Sequence, residues 1–316
     1  MSVFTPVSPD EARAFLTHYT LGELESLEGI AQGVENTNYF LTTTTGDYVL
    51  TLFEHIPRED LPFYIGLMDH LAHHEVTCPA PMRTDDGGML GELNGKPAVI
   101  VTRLPGSPRP HPTPDDCRDA GRILAQIHVA GVEYDGSLDN WRGREWRESF
   151  AQKVAPRISR EENALIEAEN RYQAMYDDHV LPVGIIHGDY FHDNVLWDDE
   201  GNAGVIDFYF ACDDVLLYDI AIAVNDWCVN PDGTLDHERA HALARGYHER
   251  RPLEPLERQL WPVMLRRAAL RTWLGRLGYN HFPRESQMTI PKDHAFSRRL
   301  LEHHIGHARE LEDIFE

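Results

Sequence analysis

Lysine is nearly missing from this chain of 316 residues: Lys96, Lys153 and Lys292 are the whole complement. Lysine and arginine together supply 29 cations against 52 aspartates and glutamates, a net charge of −23. Such a surface opposes adsorption to phosphate backbones and anionic lipid, which argues against nucleic acid and membrane as partners. Cysteine is scarce too. Cys78, Cys117, Cys212 and Cys228 form no C-x-x-C pair, so neither a disulfide framework nor a cysteine zinc site is indicated, and a reducing, cytoplasmic setting is expected. No stretch approaches the roughly 18 apolar residues of a membrane span, and the opening MSVFTPVSPDEARAF lacks the basic and apolar regions of a secretion signal.

What is present is an ordinary globular composition, 42% hydrophobic and 26% charged. From Leu27 to Phe53, β-branched and aromatic runs broken at Gly46-Asp47 read as strands with at least one hairpin. Phe63, Leu67 and Leu71 then recur at helical spacing, and after a turn at Asn94-Gly95 the run Pro97–Arg103 is strongly β-forming. The proline-rich segment Leu104–Pro114 can continue neither structure and marks a boundary, dividing the chain into residues 1–103 and 104–316. Beyond it, Thr113 caps a helix that opens with Pro114 and runs to Gly131. Residues 145–179 continue the helical pattern, Val183–Ile186 is a short strand, and Leu216 onward is mostly helical. The expected class is α+β: a small antiparallel sheet with one helix, followed by a larger, mainly helical part.

The most informative stretch is Ile185–Phe208, IIHGDYFHDNVLWDDEGNAGVIDF: strand, polar loop, strand, Asp/Gly turn, strand. Asp189 follows His187-Gly188, Asn194 stands five residues on, and Asp207 closes the hairpin turned by Asp198–Asn202, which returns it toward Asn194. One carboxylate to take a hydroxyl proton, plus a carboxylate and an amide oxygen for magnesium, is the set phosphoryl transfer requires.

The pattern resembles the H-G-D-x-x-x-x-N and D-F signatures of the aminoglycoside phosphotransferase and choline kinase superfamily, small-molecule relatives of the protein kinases, in element order over nearly the whole chain. The resemblance implies a protein-kinase-like bilobal fold with an N-terminal nucleotide-binding lobe, and ATP and Mg2+ as cofactors. It implies Asp189 as catalytic base, Asn194 and Asp207 as magnesium ligands, His187 as a structural residue, and Asp219 of LLYDIAIAV as the loop's anchor. Two features depart from the wider kinase pattern. No G-x-G-x-x-G loop is present, so Gly33, Asn36, Thr37 and Asn38 are the expected phosphate contacts. Thr51 of YVLTLFE stands where the third-strand lysine is usual, leaving an arginine or magnesium to supply the counter-charge. Thr102 and Leu104 fall where a hinge would bond adenine.

YVLTLFE, HGDYFHDNVLW, VIDFYFACDD and LRTWLGRL together look like the homoserine kinase branch of that superfamily, in which threonine replaces the lysine. The resemblance implies ATP-dependent phosphorylation of the side-chain hydroxyl of L-homoserine, a step toward threonine. A zwitterion needs an arginine for its carboxylate and an acidic or carbonyl group for its ammonium, and Arg271, Asp226 and Tyr209 are the candidates by position. The alternatives are choline or ethanolamine, an aminoglycoside or methylthioribose as acceptor, or a silent pseudokinase that binds nucleotide only. The sequence also contains H-E-x-x-H at His237–His241, but behind a polar cap at Asp236 and without a third ligand it reads as an exposed helix start. Oligomeric state is not legible.

Overall fold

The computed structural model describes residues 3–30, 35–176, 180–282 and 293–308. It divides into two units. The first is built mainly from Met1–Gly106 and Leu196–Ile206, the second from Ser107–Val195, Asp207–Pro283 and the C-terminal helix. The division thus falls three residues beyond the expected one, and the hairpin 196–206 groups with the first unit.

In the first unit, helix α1 (Pro9–Leu16) precedes strands β1 (Leu24–Gly29), β2 (Thr37–Thr43) and β3 (Gly46–Leu52), helix α2 (Leu61–His73), and strands β4 (Gly91–Leu93) and β5 (Lys96–Thr102). The strands form one antiparallel sheet in the order β1-β2-β3-β5-β4. Strict alternation along β2 sends Thr37, Tyr39, Leu41 and Thr43 inward, where Leu41 meets Leu50, Leu52, Ile100 and the α1 side chains Phe15 and Leu16. Helix α1 was not expected, although Ser8, Pro9 and Glu11 spell a capping box that the structure forms in full.

The second unit begins with α3 (Pro114–Gly131), capped by Thr113 as expected, then α4 (Arg144–Val154) and α5 (Arg160–Gln173). Strand β6 (Val183–Ile186) follows; the next two strands, β7 (Val195–Trp197) and β8 (Ala203–Val205), form the hairpin that groups with the first unit, and β9 (Cys212–Val215) belongs to the second. The antiparallel β6/β9 pair was not expected, because two of the four β9 residues are aspartates. Helices α6 (Leu216–Trp227), α7 (His237–Arg250), α8 (Pro255–His281) and α9 (His294–Gly306) complete the unit. The second core joins Trp273, Leu274 and Leu277 of α8 to Leu300 and Leu301 of α9 and Ile166 of α5.

Helices α3 and α7 touch through glycine. A β-carbon at Gly121 would collide with the Leu243 carbonyl, and one at Gly246 with the Arg118 carbonyl, so each helix lays a bare backbone against the other.

Helix α9 is also tied by a polar contact: His304 Nε2 donates to Asn225 Oδ1 at 2.7 Å, and Asn225 Nδ2 donates to the Leu265 carbonyl at 2.8 Å. Burial, reinforced by the His303 and Arg266 charges, pushes the His304 imidazole down to about 3. Between pH 6.5 and that value the unfolded chain binds a proton that the folded chain does not. This contribution to stability is therefore complete above pH 6.5 and falls as the pH drops. In urea unfolding at pH 7.5 and 5.0, His304→Gln is expected to lose less stability across the interval than the parent, by about 2 kcal/mol.

Candidate active site

Strand β6 runs directly into His187-Gly188-Asp189. Gly188 adopts φ +72°, and a β-carbon there would strike the Phe210 carbonyl, so the turn admits only glycine. Asp219, in the first turn of α6, fixes the loop: its carboxylate accepts the His187 N–H at 2.7 Å and the Gly188 N–H at 3.0 Å. His128 of α3 brings Nε2 to the same carboxylate at 3.0 Å, and its Nδ1 lies 2.7 Å from the Tyr247 hydroxyl of α7. Burial pushes the Asp219 carboxyl up, but the His128 hydrogen bond and nearby backbone donors outweigh it and hold the group below the ordinary carboxylate range. Asp219 is therefore a buried anion, fully covered.

The rest of the loop is held by polar contacts. The Asp189 N–H donates to His187 Nδ1 at 3.3 Å, and the His187 ring packs 4.7 Å from that of Phe208. Tyr190 donates its hydroxyl to the Ala120 carbonyl at 3.0 Å and accepts from Trp227 Nε1 at its own carbonyl at 3.1 Å. Asn194 Nδ2 donates to the Asp189 carbonyl at 2.9 Å.

Two of the expected acceptor contacts serve the loop instead. Arg271 of α8 is only 5% exposed; it donates to the Gly188 carbonyl at 2.6 Å and lies 3.4 Å from Asp189 Oδ1. Its guanidinium is engaged by the Gly188 carbonyl and the Asp189 carboxylate. Asp226 accepts both the His192 N–H and the His192 Nδ1 proton at 2.7 Å, so this carboxylate clamps the far side of the loop. The Asp226 hydrogen bond raises the His192 imidazole above its ordinary value. Tyr209 is half-buried two residues past Asp207.

Asn194 precedes β7 and Asp207 follows β8, so both stand at the open end of one hairpin. Asp207 is exposed and holds φ +64°, a left-handed backbone that costs a non-glycine residue about 1 kcal/mol. The donor set fits magnesium. The Asn194 amide nitrogen is committed to the loop, so its oxygen and the Asp207 carboxylate are the hard oxygen donors of this segment. Among the described residues no three His, Cys, Asp or Glu side chains gather into a metal cage. His237–His241 opens α7 behind the Asp236 cap, as expected.

In the first unit, Gly33 lies outside the described residues. Thr37 is fully buried; its hydroxyl donates to Glu54 at 2.7 Å and accepts the Phe4 and Thr5 N–H groups, so it is structural rather than a phosphate contact. Thr51 pairs across the β2/β3 ladder with Asn38, donating to its Oδ1 at 2.7 Å, and Asn36 Oδ1 accepts the Glu54 N–H. The Thr102 N–H and hydroxyl are both engaged with Ala80, and Leu104 is half-buried. Sequence reasoning missed His128, Tyr247 and the two clamps. His128 on the apolar face of α3 was the available signal, but partners 91 and 119 residues away were not visible.

A family model described as "Phosphotransferase enzyme family" matches residues 26–253. A homoserine kinase of Methylobacillus flagellatus is 49% identical over 310 residues, covering 98% of this chain and 97% of that protein. One from Methylobacillus glycogenes is 45% identical over 311 residues, covering 98% of each. Among solved structures, the amicoumacin kinase hAmiN in complex with AMP-PNP, Ca2+ and Ami superposes with a TM-score of 0.71 at 14% identity, over 98% of this chain and 94% of that one.

Replacing Asp219 by alanine strands His128 and two buried N–H groups. Urea unfolding is expected to register a loss of about 3–5 kcal/mol, with Asp219→Asn losing less because one acceptor oxygen survives.

Proposed function

The chain belongs to the phosphotransferase enzyme family, and on that premise we propose that it transfers the γ-phosphoryl group of ATP to the side-chain hydroxyl of L-homoserine, giving O-phospho-L-homoserine on the way to threonine. The observation that carries this reading is Asp189, held by Arg271 and the Asp219-anchored loop, in a chain 49% identical to a homoserine kinase along its whole length. A cytoplasmic setting accords with four buried, free cysteines.

With Arg271 against Oδ1, the second oxygen of Asp189 is left to accept the homoserine hydroxyl proton and aim the oxygen at phosphorus. The rigid loop supplies most of the advantage, since a base already oriented spares the reaction that entropy. Magnesium, when bound to Asn194 and Asp207, would offset charge on the transferring phosphoryl group. Asn38 and Thr51, joined by a hydrogen bond from the threonine hydroxyl to the amide oxygen, are the first unit's polar candidates toward phosphate.

The test is ADP release from ATP and magnesium with homoserine, choline, methylthioribose and an aminoglycoside offered in parallel. Turnover is expected with homoserine, and a preference for any of the others would replace the acceptor assignment. Asp189→Asn should lower kcat about 10³-fold with the KM for ATP nearly unchanged, whereas Asp207→Asn should weaken the magnesium nucleotide complex itself.

A further inference from the structure

The anchor of the catalytic loop is itself held from behind. His128 Nε2 lies 3.0 Å from the Asp219 carboxylate, and His128 Nδ1 lies 2.7 Å from the Tyr247 hydroxyl. His128 is 1% exposed and Tyr247 and Asp219 are fully covered, so solvent supplies no hydrogen to either ring nitrogen. A neutral imidazole carries its hydrogen on one nitrogen or the other, and only one choice suits the carboxylate. With the hydrogen on Nε2, Asp219 gains a third donor besides the His187 and Gly188 N–H groups. With it on Nδ1, a nitrogen lone pair faces the anion instead.

The far side of Tyr247 settles the choice. The Arg251 guanidinium stands against the Tyr247 hydroxyl, its carbon 5.7 Å from the ring centre, and pairs at 2.9 Å with the fully buried Glu257 of α8. A cation at the phenol oxygen turns the hydroxyl hydrogen away from itself, toward Nδ1. Burial pushes the phenol well above its ordinary value, so that hydrogen is retained at working pH. A proton on Nδ1, in the other tautomer or in the imidazolium, would turn the hydroxyl hydrogen back on Arg251. The helix seam fixes the reach of the contact, since Gly246, the residue before Tyr247, has no room for a β-carbon against the Arg118 carbonyl.

We propose that Tyr247 is a positioning residue for phosphoryl transfer: its hydroxyl donates to Nδ1 and holds His128 as the Nε2–H tautomer, so that Asp219 keeps the loop, and Asp189 on it, in line. A polar chain then runs from Glu257 and Arg251 through Tyr247, His128 and Asp219 to the loop, each link oriented by the one behind it. This rests on the reading of Asp189 as the base and not on the identity of the acceptor.

The test pairs 15N NMR of the full-length, histidine-labelled chain with steady-state kinetics of Tyr247→Phe, which removes the hydroxyl and keeps the ring. In the parent, His128 is expected to show an unprotonated Nδ1 and a protonated Nε2, with no substrate needed. Tyr247→Phe should move both shifts toward a tautomer mixture and lower kcat about tenfold, with the KM for ATP and acceptor within about twofold, because binding does not depend on the aim of the base. In a His128→Leu background the same substitution should cost nothing further, the ring that transmits it being gone. A protonated Nδ1 in the parent overturns the proposal even where a variant fails to fold. So does a Tyr247→Phe protein that loses thermal stability but keeps its kcat, or a kcat loss undiminished in the His128→Leu background. Full turnover by Asp189→Asn overturns the base assignment and the inference with it, a result distinct from any of these.

Discussion

The carboxylate of Asp219 has no contact with solvent yet stays charged, because His128 and two backbone N–H groups surround it. A buried anion is costly unless every oxygen is satisfied, so the groups that satisfy it are fixed in position as strictly as the anion is. Here those groups are the backbone of the catalytic loop. The same contacts that make Asp219 tolerable determine where Asp189 points, and Arg271 and Asp226 finish the task from the other two sides. The active site is thus a by-product of meeting one electrostatic demand in the core of the helical unit.

How far the sequence could be read follows from the range of each interaction. Caps and turns are local, so Thr113-Pro114 located α3 to the residue, and Val183–Ile186 emerged as a strand because its apolar run is bounded by polar loop residues. The loop spacing is local too: Asn194 immediately precedes β7 and Asp207 lies two residues beyond β8, at the two ends of one hairpin. What escaped was long-range or ambiguous. Strand β9 is half aspartate and pairs only because β6 presents its edge. Helix α1 was legible in its capping box and went unread.

Arg271 and Asp226 illustrate a different limit. A charge near a reactive loop can face the ligand or brace the loop, and sequence position does not distinguish the two. Burial does: at 5% exposure a guanidinium needs protein acceptors, and Arg271 finds the Gly188 carbonyl. Thr37 follows the same logic in the first unit, an inward position on β2 that its hydrogen bonds convert into a core strut.

The bare-backbone seam between α3 and α7 bears on how this protein can change. His128 hangs from one helix and Tyr247 from the other, so the spacing of the seam sets the reach of the imidazole that supports Asp219. A methyl group added at Gly121 or Gly246 would act as a shim, and its thickness would be delivered to the catalytic loop through that relay. Sequence drift on this face is consequently gated in pairs: neither glycine can be exchanged without a compensating retreat of the other helix.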